Sequence, residues 1–255
     1  MRSLVRRLPF ASFVFFSYAW TWPLAALIEQ SLLFPLLALF GPAIAAVIVI
    51  AAIEGRSGLR GLVSRFRVRR THLPWLAVAV LLPLGLLVPV WLLARGTGPA
   101  IPFRLGPITL VSLLLAVLVV GEEVGWRGFG LPYLLARRPA LASSLILGAV
   151  WAFWHFPNFL LPGYPHKGLP FAAFLILLLS FSVLFTWLHG KTEGSLTVAL
   201  VFHAALNLFS VDGIDPSQQY WLRALVYGVT AVAVVVMRGL HWKASGPGER
   251  FAGAA

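Results

Sequence analysis

The sequence contains no cysteine, and only 11% of its 255 residues are charged. The first absence excludes a disulfide-stapled secreted scaffold and thiol chemistry. The second excludes a water-soluble enzyme and a disordered tail, because soluble globular chains carry about 25% charged residues. What fills the space is apolar: 60% of residues are hydrophobic, and the mean hydropathy is +0.89. A chain of this composition belongs in a membrane. Acids are scarce too, with eight Asp+Glu against twenty Lys+Arg, a formal net charge of +12. Such an excess fits either nucleic-acid binding or the orientation of membrane loops, and its placement decides between them.

A bilayer core of about 30 Å asks for about 20 apolar residues per helix. Windows of that kind predict an all-α, polytopic helical bundle of about eight spans. They run near Phe10 to Ile28, Leu32 to Ile53, Leu73 to Ala94, Ile108 to Ala136, Ala142 to Leu161, Phe171 to Leu188, Leu196 to Val211 and Trp221 to Met237, the fourth long and the seventh short. Fifteen basic residues then fall on one side, in the N-terminus (Arg2, Arg6, Arg7), the Arg56–Arg70 loop, Arg137 and Arg138, Lys191 and the tail (Arg238, Lys243, Arg250). The opposite loops hold only Arg95, Arg104 and Lys167. That asymmetry predicts both termini in the cytoplasm of a multi-pass protein of the cell membrane, and no basic cluster remains for DNA or RNA. The Arg56–Arg70 loop also suits contact with anionic lipid headgroups. The first apolar run is too long for a signal peptide and is expected to be retained. The whole chain, 1–255, reads as one integral-membrane domain, with a motif-bearing core near 108–211 and a short polar tail over 238–255.

Ionisable groups inside a span are costly and usually mark function. Three clusters qualify: Glu122, Glu123 and Arg127 in the fourth span, His155 in the fifth, and His203 with Asn207 in the seventh. Glu123 and Arg127 are four apart with the acid first, the favourable order for an ion pair on one helix face. Glu122 is rotated about 100° away and must find its partner on another helix. A carboxylate left without a cation there is suited to act as a general base. Trp151 places an aromatic ring one turn before His155 on the same face, and His203 and Asn207 share a face of their own helix. Polar groups on three apolar helices can be hidden only by facing one another. Counting at 1.5 Å per residue puts Glu122 roughly 21 Å, His155 roughly 20 Å and His203 roughly 10 Å from the ends at which their spans enter, so one site in the cytoplasmic half of the membrane is feasible. The glycines Gly121, Gly125, Gly128 and Gly130 suit close helix approach around the acids. His72, His166, His189 and His241 fall in loops or at span edges and receive no role.

One carboxylate, two imidazoles and a carboxamide, with no thiol or serine beside a base, suit activation of water and hence hydrolysis. Glu122 with His155 is placed to deprotonate a water, and His203 with Asn207 to donate to an oxyanion. Glu122, His155 and His203 also make a zinc-ligand set, and spacing does not separate the metal-free from the metal-dependent form. Buried Glu, His and Arg are also what a proton-coupled transporter uses, though no inverted repeat is visible, and a non-catalytic scaffold would keep the same groups as a buried network.

The runs Glu122-Glu123-x-x-x-Arg127, Trp151-x-x-x-His155 and His203-x-x-x-Asn207 resemble the three motifs of the CPBP family. These are the CAAX-protease and bacteriocin-processing intramembrane proteases, also called Abi or Rce1-like. The resemblance covers Gly121 to Phe209, with Trp151 where the family usually has Phe. It implies a glutamic-type intramembrane endopeptidase without cofactor. In that reading Glu122 and His155 activate water, His203 and Asn207 form the oxyanion hole, and Glu123, Arg127 and Trp151 support them. The implied partners are membrane lipid and a peptide, lipidated or transmembrane protein substrate, prenylated CAAX proteins in the eukaryotic branch.

Overall fold

The computed structural model describes residues 2–97 and 101–239. The expected tail beyond 239, with His241, Lys243 and Arg250, lies outside the described residues. Helix dominates because residues in an apolar medium must satisfy their backbone N–H and C=O groups within their own segment. In chain order the helices are α1 (Arg2–Arg7), α2 (Pro9–Ala25), α3 (Leu33–Ala38), α4 (Gly41–Ile53), α5 (Gly55–Ser64), α6 (Leu73–Thr97), α7 (Leu110–Leu118), α8 (Val120–Gly125), α9 (Leu131–Leu135), α10 (Ala140–Trp154), α11 (Pro157–Leu160), α12 (Phe171–Lys191), α13 (Leu196–Leu208) and α14 (Pro216–Arg238). A π-helical stretch, Trp126–Gly130, joins α8 to α9. No strand occurs among the described residues. One antiparallel bridge, Leu105 to Val211, ties the approach to α7 to the exit from α13.

Four runs are long and apolar enough to cross a bilayer by length and composition: Leu33–Ile53, Arg70–Gly96, Phe171–Lys191 and Pro216–Arg238. Their burial differs in a way that orders the bundle. The apolar window of α12 is 67% buried, against 22% for α6 and for α14, so α12 is the core helix and the other two face outward. α12 lies between α10 and α14, α2 and α8 pack on α4, and α13 packs on α6 and α7.

Three expected spans are broken rather than continuous. The second splits at Leu39 and Phe40, where Pro42 follows in the first turn of α4 and supplies no N–H for the preceding turn. The carbonyls that this break frees are taken by α2: Trp20 Nε1 donates to Leu37 O at 3.1 Å, and Thr21 Oγ1 to Ala38 O at 2.8 Å. Thr21 in turn accepts from Trp154 Nε1 on α10 at 2.9 Å. The fourth expected span divides into α7, α8, the π stretch and α9. The fifth ends at Trp154, where Pro157 starts the separate short helix α11. The segment expected to be a basic loop is in part a helix, α5, with Leu62 buried while Arg56 and Arg60 stay exposed.

Small residues let α8 reach the break in α3–α4. A Cβ on Gly125 would fall 2.3 Å from Pro42 Cβ, and one on Gly121 would fall 2.6 Å from the Leu39 carbonyl oxygen. The glycine pair therefore sets how deeply the acid-bearing helix seats. Gly125→Ala is expected to cost about 1–3 kcal/mol through overpacking. Gly85→Ala, in α6 with nothing within 4 Å of its Cβ, is expected to be neutral or to stabilise by up to about 1 kcal/mol. Thermal unfolding of the two variants in detergent checks this contrast.

Candidate functional site

α8 presents both acids, and their environments differ completely. Glu123 is fully buried and accepts from Arg127 Nη1 at 2.8 Å and from His203 Nδ1 at 2.7 Å, both on Oε1. The expected i,i+4 pair is present, and both of its side chains are sealed. The cation is enclosed further by ring faces: the Arg127 guanidinium carbon sits 3.6 Å from the Phe185 centroid and 4.2 Å from that of Trp151. Such contacts help to replace the hydration that a buried cation loses.

Glu122 takes no part in that pair. Its Oε2 accepts from Trp151 Nε1 on α10 at 2.7 Å. The partner expected on another helix is thus an indole N–H, a neutral donor, and Glu122 forms no ion pair of its own. Trp151 is also the point where the three clusters meet, its ring centroid lying 5.3 Å from that of His203 and 6.1 Å from that of His155. Glu122, His155 and His203 therefore converge on one indole.

The two imidazoles are oriented alike. His155 caps the C-terminus of α10, and its Nδ1 lies 3.0 Å from the Trp151 carbonyl oxygen. His203 Nδ1 faces the Glu123 carboxylate. Carbonyl and carboxylate oxygens only accept, so Nδ1 carries the hydrogen in both rings and Nε2 is the remaining nitrogen. Buried polar atoms without a partner include Glu123 Oε2, Arg127 Nε and Nη2, and His189 Nε2. Glu122 Oε1, His155 Nε2 and His203 Nε2 are not in that sealed group. Glu122 and His203 are themselves buried, each 4% exposed, and His155 is half-buried. Asn207, one turn beyond His203 on α13, is exposed.

Several features were not foreseen from sequence. Nothing in the chain distinguishes Phe185 from the other apolar residues of α12, yet it forms one wall of the Arg127 cage. The His203–Glu123 bond joins residues 80 apart and has no local signature. His189, left without a role, is buried in the last turn of α12. His166, also left without a role, packs against Phe159, Phe174 and Tyr220 in the loop before α12, where burial pushes it down to about 4 and keeps it neutral. Among the described residues no three His, Cys, Asp or Glu side chains are grouped so as to hold a metal.

The two acids should separate by stability. Glu122→Gln keeps an acceptor for the Trp151 N–H and is expected to cost under about 1 kcal/mol. Glu123→Gln leaves Arg127 buried without its carboxylate and is expected to cost about 3–5 kcal/mol. Denaturant or thermal unfolding of both variants reads the difference, and equal losses would contradict the assignment.

Residues 104–209 match the family described as Type II CAAX prenyl endopeptidase Rce1-like. CAAX prenyl protease 2 of Methanococcus maripaludis is 31% identical over 107 residues, an alignment covering 38% of this chain and 38% of that protein. The chain thus aligns with well under half of that relative's length, and residues 104–209 contain every residue that converges on Trp151. This segment, which carries all three motifs at one point in the bundle, is similar to the Rce1-like family.

Proposed function

We propose that the chain is an intramembrane endopeptidase in which Glu122 and His155 activate water and His203 and Asn207 bind the oxyanion. The observation that carries this reading is the division of labour within α8: Glu123 neutralises Arg127, while Glu122 keeps one oxygen on the Trp151 N–H and the other free. A water held between Glu122 Oε1 and His155 Nε2 gives its proton to the carboxylate as its oxygen attacks the peptide carbonyl carbon. The carbonyl π electrons pass to oxygen, and that oxyanion is met by His203 Nε2 and the Asn207 amide. His203 donates from Nε2 in the doubly protonated ring, whose Nδ1–H stays on the Glu123 carboxylate. As the tetrahedral intermediate collapses, the C–N bond breaks and the proton held by Glu122 moves to the departing nitrogen. The carboxylate is thereby restored.

The name of the archaeal relative points to prenylated CAAX proteins, and we extend that substrate class to this chain as part of the proposal. The outward-facing apolar surfaces of α6, α7 and α14 fit a site reached by a lipidated or transmembrane peptide from within a cell membrane, with the arginine-rich end of the bundle on the cytoplasmic side.

The test is cleavage of quenched-fluorescent peptides, including farnesylated C-termini, by purified protein with and without a strong chelator. Wild type is expected to cut at least one peptide in the presence of chelator. Glu122→Gln is expected to lower kcat by about 10²–10⁴-fold with the fold retained. Activity lost on chelation and restored by zinc would move Glu122, His155 and His203 to metal ligation. Absence of cleavage by wild type, or full activity in the variant, overturns the reading.

A further inference from the structure

The segment between α4 and α6 joins the end of one run able to cross the bilayer, Leu33–Ile53, to the start of the next, Arg70–Gly96, so it runs along the membrane surface. Gly55, at φ 65°, turns the chain out of α4 and into α5 without strain. The two faces of α5 differ: Gly58 and Leu62 are buried, while Arg56, Arg60 and Val63 are exposed. A Cβ on Gly58 would fall 2.7 Å from Ile50 Cγ2, so α5 is pressed onto the end of α4.

The inner edge of this segment is fastened to the site. Arg65 Nη1 donates to Gly128 O at 2.8 Å, in the π stretch and one residue from Arg127. Pro132, four residues on, has no N–H to offer that carbonyl. Leu62 closes over the same glycine, its Cδ1 2.6 Å from where a Cβ would stand. Arg65 O accepts from Leu196 N at 3.0 Å, and Phe66 O accepts from Thr197 Oγ1 at 2.7 Å. Both bonds hold the first turn of α13, two turns before His203. The segment therefore grips the element that carries Arg127 and the one that carries His203.

The outer edge is charged and unanswered. Arg56, Arg60, Arg67 and Arg70 are exposed and form no ion pair among the described residues. Of the acids nearby, Glu193 is taken by Arg69, and Glu54 lies against Gly58. Arg6 Nε donates to Ala52 O at 3.0 Å, which brings a further cation to the same corner. Exposed Val63, Val68 and Leu73 are interleaved with these arginines. That is the pattern of a segment lying in the headgroup layer, with apolar side chains toward the acyl chains and guanidinium groups at the phosphates.

We propose that residues 55–73 form a binding surface for anionic phospholipid, and that lipid held there steadies the π stretch and the start of α13. Arg56, Arg60, Arg67 and Arg70 meet the headgroup phosphates, while Arg65 and Phe66 pass the constraint inward. A free phosphate would gain nothing from the interleaved apolar side chains, which commits the surface to lipid. An orientation signal alone would need no bonds to Gly128, Leu196 and Thr197. The lipid surface stands without the peptidase reading, and only its effect on turnover rests on that reading.

The experiment places full-length protein in bilayers of phosphatidylcholine alone or of phosphatidylcholine and phosphatidylglycerol in equal parts. Thermal unfolding, the lipid retained on extraction into detergent, and peptide cleavage are measured in each. Wild type is expected to melt about 2–4 °C higher with phosphatidylglycerol and to retain that lipid preferentially. Replacing the four outer arginines by Gln is expected to abolish the rise and to lower the preference by about fivefold or more. The fourfold Arg→Lys exchange at the same positions is expected to keep both. Should the fourfold Gln protein not fold, Arg56→Gln with Arg60→Gln and Arg67→Gln with Arg70→Gln are compared as separate pairs. Arg65→Met, which keeps the stem and removes the donors to Gly128, is expected to retain lipid but lose the rise. An unchanged preference in the Gln variants overturns the lipid surface, and a rise that survives Arg65→Met overturns its coupling to the site. Turnover by wild type is expected to be several-fold higher with phosphatidylglycerol. Equal turnover in the two bilayers would also overturn the coupling. A rise in melting without cleavage in either bilayer would sink the peptidase reading and keep the lipid surface.

Discussion

The buried pair of Glu123 and Arg127 is the constraint on which the rest of this site is built. A guanidinium cannot be neutralised by losing its proton, so once Arg127 is enclosed it must keep a carboxylate against it. Glu123 meets that demand at i,i+4 spacing. Phe185 and Trp151 take the place of water over the cation. Two consequences follow. His203 is held by the same carboxylate oxygen, which fixes its ring and leaves Nε2 pointing elsewhere. Glu122, one residue away and on another face of the helix, is released from charge neutralisation and kept by a single indole N–H. The ion pair thus separates two chemically identical side chains into a structural acid and an available one.

The backbone around the pair is irregular at the points where it must admit polar groups. The α3–α4 break lies against Gly121 and Gly125, and the π stretch begins one residue before Arg127. Single-turn π bulges often accompany functional sites, because they shift side-chain register without ending a helix. Each freed carbonyl near the break is answered by a side chain from α2, and Thr21 passes the connection on to Trp154, four residues before Asn158 and one before His155. The same elements that satisfy the interrupted backbone therefore locate the end of α10 on which His155 sits.

Much of this was legible in the chain. Glu123 with Arg127 reads directly from helical spacing, and the need for Glu122 to find a partner elsewhere follows from its rotation away from that pair. Convergence of Glu122, His155 and His203 follows from the cost of leaving polar groups in lipid. Other features were hidden for physical reasons. Hydropathy windows register composition but not backbone continuity, so the expected spans 32–53, 108–136 and 142–161 conceal the breaks near Phe40, Gly121 and Pro157. Contacts such as His203 with Glu123, or Trp151 with Glu122, depend on which helix faces which, information that no local pattern holds. Trp151 was read as a supporting aromatic, whereas its N–H and ring together make it the junction of the site. Asn207, expected beside His203, shares its helix but stands exposed one turn on.

The central claim, that Glu123 is tied into the ion pair with Arg127 while Glu122 is held only by an indole N–H, is tested most directly by reaction with a small membrane-permeant carbodiimide in the folded protein, followed by peptide mapping. The account predicts modification at Glu122, with Glu123 protected until the protein unfolds. Equal modification of the two, or preferential modification of Glu123, would contradict it.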